Sequence, residues 1–118
     1  MTAIQAGEII LLAGVGLLMM GVATPLIRRR IGPNHAYGLR IPATFADREV
    51  WFEANAKSGR DFFVLGIVQL ILGLGLAGVP VRWQKVYIIA DVVILIAGAV
   101  LCLMVGSRRA ERLLARRS

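Results

Sequence analysis

Charged residues are absent from long parts of this 118-residue sequence. Three apolar stretches, at about Ile9–Ile27, Phe62–Val79 and Val86–Ser107, contain one charged residue between them, Asp91. Each stretch is long enough to cross a hydrocarbon layer of about 30 Å at about 1.5 Å per helical residue. None of them alternates polar and apolar residues, which excludes the strands of a transmembrane barrel.

Polar residues are also too few for a soluble protein of this size. Apolar residues make up 58% of the chain, and the remainder cannot cover three such helices in water. We therefore predict an all-α, polytopic membrane protein with three transmembrane helices in a single domain of residues 1–118. The spans are joined by a loop and helix at residues 28–61, and a basic tail follows at residues 108–118.

Cysteine, histidine and recognisable catalytic motifs are scarce or missing. The single cysteine, Cys102, lies inside the third apolar stretch, which excludes an internal disulfide and a cysteine-based zinc site. The single histidine, His35, has no carboxylate near it in sequence. No nucleophile elbow, zinc-protease motif or phosphate-binding loop is present. We therefore predict no catalytic residue, no metal and no cofactor, and a function other than that of an enzyme.

Acidic residues are half as numerous as basic ones, and the basic residues are unevenly placed. The net charge is +7, with only Arg82 and Lys85 between the second and third apolar stretches. The other basic residues fall in residues 28–61 or in the tail. By the positive-inside rule, these two regions lie in the cytoplasm, while the N-terminus and the short turn lie outside.

The basic flanks suggest a negatively charged partner, for which lipid headgroups and nucleic acid are the two candidates. Anionic lipid headgroups are expected to bind them, at about 1 kcal/mol per basic residue near the surface. A nucleic-acid partner is not expected, because the basic runs are short and lack interleaved aromatic residues for base stacking. The tail is predicted to extend the third helix as a basic amphipathic segment, with Leu113 and Leu114 on the membrane surface.

Residues 28–61 contain more irregular sequence than a connector needs. Pro33, Pro42 and Gly38 prevent a continuous helix before Thr44. The sequence "TFAD" then predicts a capping box, in which the Thr44 hydroxyl caps a helix that begins at Phe45.

The predicted helix is amphipathic and cytoplasmic. Its charged residues form one stripe facing water, where Glu53 and Lys57 have the favoured i,i+4 order. Trp51 is expected at the level of the lipid headgroups, and the helix is expected to continue into the second span.

Two polar residues of this region allow two interpretations each. Asn55 lies on the less charged side of the helix, where it forms a hydrogen bond with the Pro33–Gly38 loop or contacts a ligand. Arg40 binds loop carbonyls or a lipid phosphate, since its planar guanidinium suits both.

Two polar residues fall inside the predicted spans. Gln69 is expected to form an interhelical hydrogen bond of about 1 kcal/mol. Asp91 is a candidate functional acid, since an ionisable residue inside a membrane is a functional hypothesis by default. The alternative is that Asp91 reaches the outer interface and pairs with Arg82 or Lys85.

Small residues mark two of the helices. The second helix has four positions without a side chain, which are Gly66, Gly73, Gly75 and Gly78. The third helix has a ridge of small residues, which are Gly98, Cys102 and Gly106. We expect these two helices to approach each other closely or to meet a second copy in a homo-oligomer.

Eight residues of the central segment share the spacing N-x-x-Y-G-x-R-x-x-x-T-x₆-W-x₃-N-x₃-G. They are Asn34, Tyr37, Gly38, Arg40, Thr44, Trp51, Asn55 and Gly59. This spacing closely resembles the signature of the SdpI family, bacterial membrane proteins named for immunity to a secreted killing peptide. The resemblance implies a protein of the bacterial cytoplasmic membrane and makes the eight residues its candidate binding site. The named member has further helices before the signature, so this chain resembles a minimal three-helix form.

Three functions follow as hypotheses. The first is binding of a membrane-active killing peptide or its membrane target, giving immunity or resistance, with signalling through a repressor as the resemblance implies. The second is an accessory or assembly subunit of a larger membrane complex. The third is a small transporter or membrane enzyme that uses Asp91 or Arg40.

Overall fold

The computed structural model describes residues 2–117, in which helices are the only regular secondary structure. The helices are α1 (Ala3–Ile27), α2 (Pro42–Ala46), α3 (Arg48–Gly75) and α4 (Gln84–Arg117). Two short 3₁₀ turns, Leu76–Gly78 and Val81–Trp83, connect α3 to α4. Helices α1, α3 and α4 are long and apolar enough to cross a membrane, which confirms the predicted fold class. Ser118, the last residue of the predicted tail, lies outside the described residues.

Helix α3 lies between α1 and α4 and packs against both. Its glycines allow the closest approach on the side of α1. A Cβ atom at Gly73 would lie 2.5 Å from the backbone nitrogen of Ala13, and one at Gly66 would lie 2.8 Å from the carbonyl oxygen of Gly16. The predicted approach of the second and third helices is also present, because Gly106 of α4 faces Ser58. The glycines Gly66 and Gly73, however, serve the contact with the first helix.

The two helix continuations expected from the sequence are both present in the structure. The predicted amphipathic helix and the second span form one helix of 28 residues, α3. The predicted tail continues α4, which has 34 residues and is about 51 Å long at about 1.5 Å per residue. Both helices therefore extend past a hydrocarbon core of about 30 Å at the end where α1 stops. We call this end, which holds residues 28–61 and 108–117, the arginine-rich end.

Residues 28–47, which we call the cap, fold over the arginine-rich end. The predicted capping box at Thr44 is wrong. The Thr44 hydroxyl donates to the Leu39 carbonyl oxygen at 2.9 Å and accepts from the Ile41 N–H at 3.1 Å. Asp47 is the actual N-cap of α3, and its carboxylate accepts from the backbone N–H of Glu49 at 2.8 Å. The extended backbone of Asp47 separates α2 from α3.

A small apolar core joins the cap to α3 and to the last turns of α4. Its buried members are Leu39, Ala43, Val50, Ala54, Ala110 and Leu113. The prediction that Leu113 lies on the membrane surface is therefore wrong, because α4 continues along α3 and turns this side chain inward.

The last turn of α4 is held to the first turn of α3 by ion pairs. Arg117 donates from Nε to Asp47 at 2.6 Å and from Nη1 to Glu49 at 2.7 Å. The hydrogen bond from Arg117 lowers the pKa of Asp47 below its usual value of 3.8. The same hydrogen bond raises the pKa of Arg117.

Candidate functional site

Asn34 organises the first half of the cap. Its Oδ1 accepts from the backbone N–H of Ala36 at 2.8 Å and of Tyr37 at 2.6 Å. Its Nδ2 donates to the carbonyl oxygens of Gly32 at 2.9 Å and of Tyr37 at 3.1 Å. The side chain thus supplies the hydrogen bonds that the irregular backbone cannot make with itself, which is the usual reason for asparagine in a turn. Gly38 follows with a φ of 100°, a conformation that favours glycine.

Asn55 joins the cap to α3. Its Oδ1 accepts from the Leu39 N–H at 2.5 Å, and its Nδ2 donates to the Trp51 carbonyl oxygen at 3.0 Å. The side chain is buried. The structure therefore contains the expected hydrogen bond between Asn55 and the loop, at the residue that follows Gly38.

Trp51 is fully buried beneath the cap. Its indole Nε1 donates to the Ile31 carbonyl oxygen at 2.8 Å, and its ring lies 5.5 Å from that of Phe45. The expectation that Trp51 lies among lipid headgroups is wrong, because residues 28–47 fold over the ring and shield it.

The remaining signature residues tie the cap to α1 or to itself. The Tyr37 hydroxyl donates to the Val22 carbonyl oxygen, and Arg40 donates from Nη1 to the His35 carbonyl oxygen. Gly59 allows α1 to pack closely against α3, since a Cβ atom at Gly59 would lie 3.2 Å from the Ala23 carbonyl oxygen. The structure thus brings the eight predicted residues into one region. The six with polar side chains all use them in hydrogen bonds within that region. The alternative that Arg40 binds a lipid phosphate stays a prediction.

A cavity of about 290 Å³ lies beneath the cap, and we call it the lateral cavity. Helices α1, α3 and α4 and the cap line it through Val22, Leu26, Gly38, Leu39, Asn55, Ser58, Gly59, Phe62, Ala99, Cys102 and Leu103. The lining is mostly apolar. Three signature residues, Gly38, Asn55 and Gly59, form part of its wall.

Ser58 is the residue of this site that sequence reasoning missed. It lines the lateral cavity, and its hydroxyl oxygen is buried and has no hydrogen-bond partner in the described structure. Buried polar atoms are normally satisfied, so an unpaired hydroxyl beside a cavity marks a place for a polar contact. No pattern in the sequence distinguishes Ser58 from any other small helical residue.

A second polar cluster joins the three long helices within the apolar region. Gln69 donates from Nε2 to the Asp91 Oδ2 at 2.9 Å and to the Leu12 carbonyl oxygen at 3.2 Å. The predicted interhelical bond of Gln69 is confirmed. Asp91 is buried, and its bond to Gln69 replaces the alternative pairing with Arg82 or Lys85 at the interface. Its Oδ1 has no hydrogen-bond partner among residues 2–117, and its role as a functional acid stays a prediction.

Metal ligands are not clustered in the part of the chain that the structure covers. Among residues 2–117, no group of three or more His, Cys, Asp or Glu side chains is arranged to hold a metal ion. Cys102 carries a free thiol and borders the lateral cavity.

Comparisons with known proteins identify the family. Neither the curated proteins nor the solved structures contained a match. The family model of the SdpI/YfhL protein family matches residues 30–107, which include most of the cap, all of α3 and most of α4. This match covers well over half of the chain and contains all eight signature residues. The chain therefore belongs to the SdpI/YfhL protein family.

Proposed function

We propose that this chain is a binding protein of the bacterial cytoplasmic membrane that protects the cell against a membrane-active killing peptide. Its arginine-rich end faces the cytoplasm, as the distribution of basic residues favours. Membership of the SdpI/YfhL family supports the proposal. The observation that carries it is the lateral cavity, whose wall is partly formed by the signature residues.

The cavity suits one apolar anchor of a larger ligand. Its volume of about 290 Å³ lies just below the range for small-ligand pockets, roughly 300–1,000 Å³. An aromatic or aliphatic side chain of a membrane-bound peptide would bury its surface against Leu26, Phe62 and Leu103. The Ser58 hydroxyl would supply one polar contact, which fixes orientation in an otherwise apolar site.

The signature residues act on this site through the position of the cap. Asn55 holds Leu39 at the cavity wall, and Gly38 lies against Asn55 so closely that a Cβ atom would come within 2.7 Å of its Oδ1. The polar side chains of the signature residues are already paired within the protein. These residues therefore shape the cavity, while the ligand contacts the apolar lining of the cavity and Ser58.

The test fills the cavity without disturbing the cap. Cells expressing the wild-type chain are exposed to a panel of secreted, membrane-active bacterial peptides, and survival is compared with that of cells carrying an empty vector. Ala99→Leu places a larger side chain in the cavity and is expected to abolish the gain in survival. Ala97→Leu is the matched control, because Ala97 lies on the same helix but is exposed and outside the cavity.

Protein levels in the membrane are measured in parallel, so that loss of protein is not mistaken for loss of function. Wild-type expression that leaves survival unchanged for every peptide would contradict protection. Equal survival of the two leucine variants would contradict a role for the cavity. Co-purification of a larger stoichiometric membrane partner, together with unchanged survival, would favour the accessory-subunit hypothesis.

A further inference from the structure

A second concave site, strongly basic, lies on the seam between α3 and α4 at the arginine-rich end. We call it the basic cleft. It has a volume of about 230 Å³ and is lined by Lys57, Val105, Arg109, Arg112, Leu113 and Arg116. It shares no lining residue with the lateral cavity. Its lining combines four cationic side chains with two aliphatic ones, so the cleft offers both positive charge and apolar surface.

The positive charge of the cleft is only partly compensated. Lys57 pairs with Glu53 at 3.2 Å, and Arg109 pairs with Asp61 at 3.3 Å. No ion pair or hydrogen bond of the described structure involves the side chain of Arg112 or that of Arg116. The neighbouring Arg117, in contrast, is fully engaged by Asp47 and Glu49. The cleft therefore retains two guanidinium groups free to bind an anion.

The depth of the cleft follows from the contacts between the two helices. A Cβ atom at Gly106 would lie 2.5 Å from the Ser58 hydroxyl oxygen, which places Lys57 and Val105 at about the same level. The apolar stretch of α4 ends at Ser107. The floor of the cleft thus coincides with the edge of the hydrocarbon layer.

The free arginines reach the adjacent layer of lipid headgroups. Arg112 lies about 8 Å beyond Ser107 along the helix, and Arg116 lies about 14 Å beyond it, at about 1.5 Å per residue. Side chains on a helix tilt toward its N-terminus, which in α4 is the direction of the membrane. The two guanidinium groups therefore descend toward headgroups that extend about 5–7 Å outside the hydrocarbon core.

We propose that the basic cleft binds the phosphate headgroup of an anionic phospholipid. Arg112 and Arg116 hold the phosphate oxygens through charge-assisted, bidentate hydrogen bonds, for which the guanidinium geometry is well suited. The acyl chains lie over Val105 and along the exposed apolar face of α4, where Leu101 and Met104 are also exposed. The absence of an aromatic side chain from the lining disfavours a nucleic-acid strand as the occupant. The site is independent of the proposed function.

The experiment measures lipid binding to the full chain purified in detergent, by native mass spectrometry with added phosphatidylglycerol or phosphatidylcholine. The double variant R112Q/R116Q is expected to lower the affinity for phosphatidylglycerol by about tenfold or more and to leave that for phosphatidylcholine unchanged. R28Q/R30Q is the matched control, because it removes the same charge from exposed residues at the same end and outside the cleft. This control is expected to lower the affinity for phosphatidylglycerol much less than R112Q/R116Q does.

Three outcomes would overturn the proposal. One is wild-type binding of phosphatidylglycerol by R112Q/R116Q, and another is an equal loss in both double variants, which would indicate diffuse attraction to charge. The third is full displacement of the lipid by inorganic phosphate, which would identify a site for a free anion. The single variant Arg112→Gln serves for the same measurement where the double variant does not purify.

Discussion

The link between Asn55 and the cap permits a quantitative prediction. Asn55→Ala removes the only acceptor that the described residues provide for the buried Leu39 N–H, whose nitrogen lies 2.5 Å from Oδ1. The Leu39 carbonyl oxygen keeps its hydrogen bond from the Thr44 hydroxyl at 2.9 Å, so it adds no comparable penalty. An orphaned buried donor costs about 1–3 kcal/mol, and we expect the cap to open more easily by this amount.

Arg40 is exposed in the closed cap, but the backbone on either side of it is held through the Leu39 and Ile41 N–H groups, and opening of the cap frees that backbone to bind trypsin. When opening and closing are fast compared with cleavage, the cleavage rate follows the population of the open state. A change of about 1–3 kcal/mol therefore predicts cleavage at Arg40 that is about 5–150 times faster than in the wild type. The assay is limited proteolysis of the detergent-purified protein, with the fragments identified by mass spectrometry.

Ser58→Ala is the matched control for this measurement. Ser58 lies on the same helix one turn from Asn55. Its hydroxyl has no hydrogen-bond partner in the described part of the chain, so its removal is expected to leave the cleavage rate unchanged. Wild-type cleavage in Asn55→Ala would refute the role of Asn55 in holding the cap. Equal acceleration in the two variants would show that the helix, and not the hydrogen bond, had been perturbed.

Three further predictions concern other parts of the fold. Gln69→Leu removes the donor to buried Asp91 and is expected to destabilise the protein by about 1–3 kcal/mol in thermal unfolding, while Gln69→Leu with Asp91→Leu is expected to recover part of the loss. Gly73→Ala forces a Cβ atom to within 2.5 Å of α1 and is expected to cost about 1–3 kcal/mol in the same assay. Because the pKa of Asp47 is lowered, its attachment to Arg117 is complete above pH 3.8 and is lost as the pH falls through the lower folded-state pKa, which hydrogen exchange at the end of α4 would detect.

Each of these predictions has an outcome that contradicts it. A double leucine variant less stable than Gln69→Leu would show that Asp91 contributes favourably by some other contact. Gly78→Ala, at a position with open space, is the control for Gly73→Ala, and equal effects of the two would exclude a steric cause. Persistence of the acid transition in Asp47→Asn would assign it to another group.

The predicted parts of the candidate site were those that local sequence constrains. Asn34 and Gly38 occur where an irregular backbone needs side-chain hydrogen bonds and a positive φ, so a turn there could be predicted from residue type alone. The hydrogen bond of Asn55 was also predictable, because an amide on the less charged face of a helix needs a partner. Its particular partner, the backbone of Leu39, was not predictable, since it depends on the path of the cap.

Two of the three incorrect predictions share one cause. Trp51 followed the pattern of a headgroup anchor and Leu113 that of a membrane-surface residue, but both side chains pack against segments distant in sequence, and this burial outweighs the local preference. Thr44 followed the pattern of an N-cap, but its hydroxyl bonds with Leu39 and Ile41 inside the cap, and Asp47 is the N-cap instead. The lateral cavity and Ser58 had no local signal at all.

The sequence by itself determined that this protein has three apolar helices and a basic, irregular segment between the first two. A backbone that spans lipid must satisfy its own hydrogen bonds, which only a helix or a closed barrel does. Composition and length were therefore enough to predict the helices. Only the tertiary structure decided that the cap closes over Trp51, that α4 returns along α3 and that a cavity remains between them. These features depend on which parts of the chain, distant in sequence, pack against each other. The energy of that packing depends on all the helices together and not on any one segment.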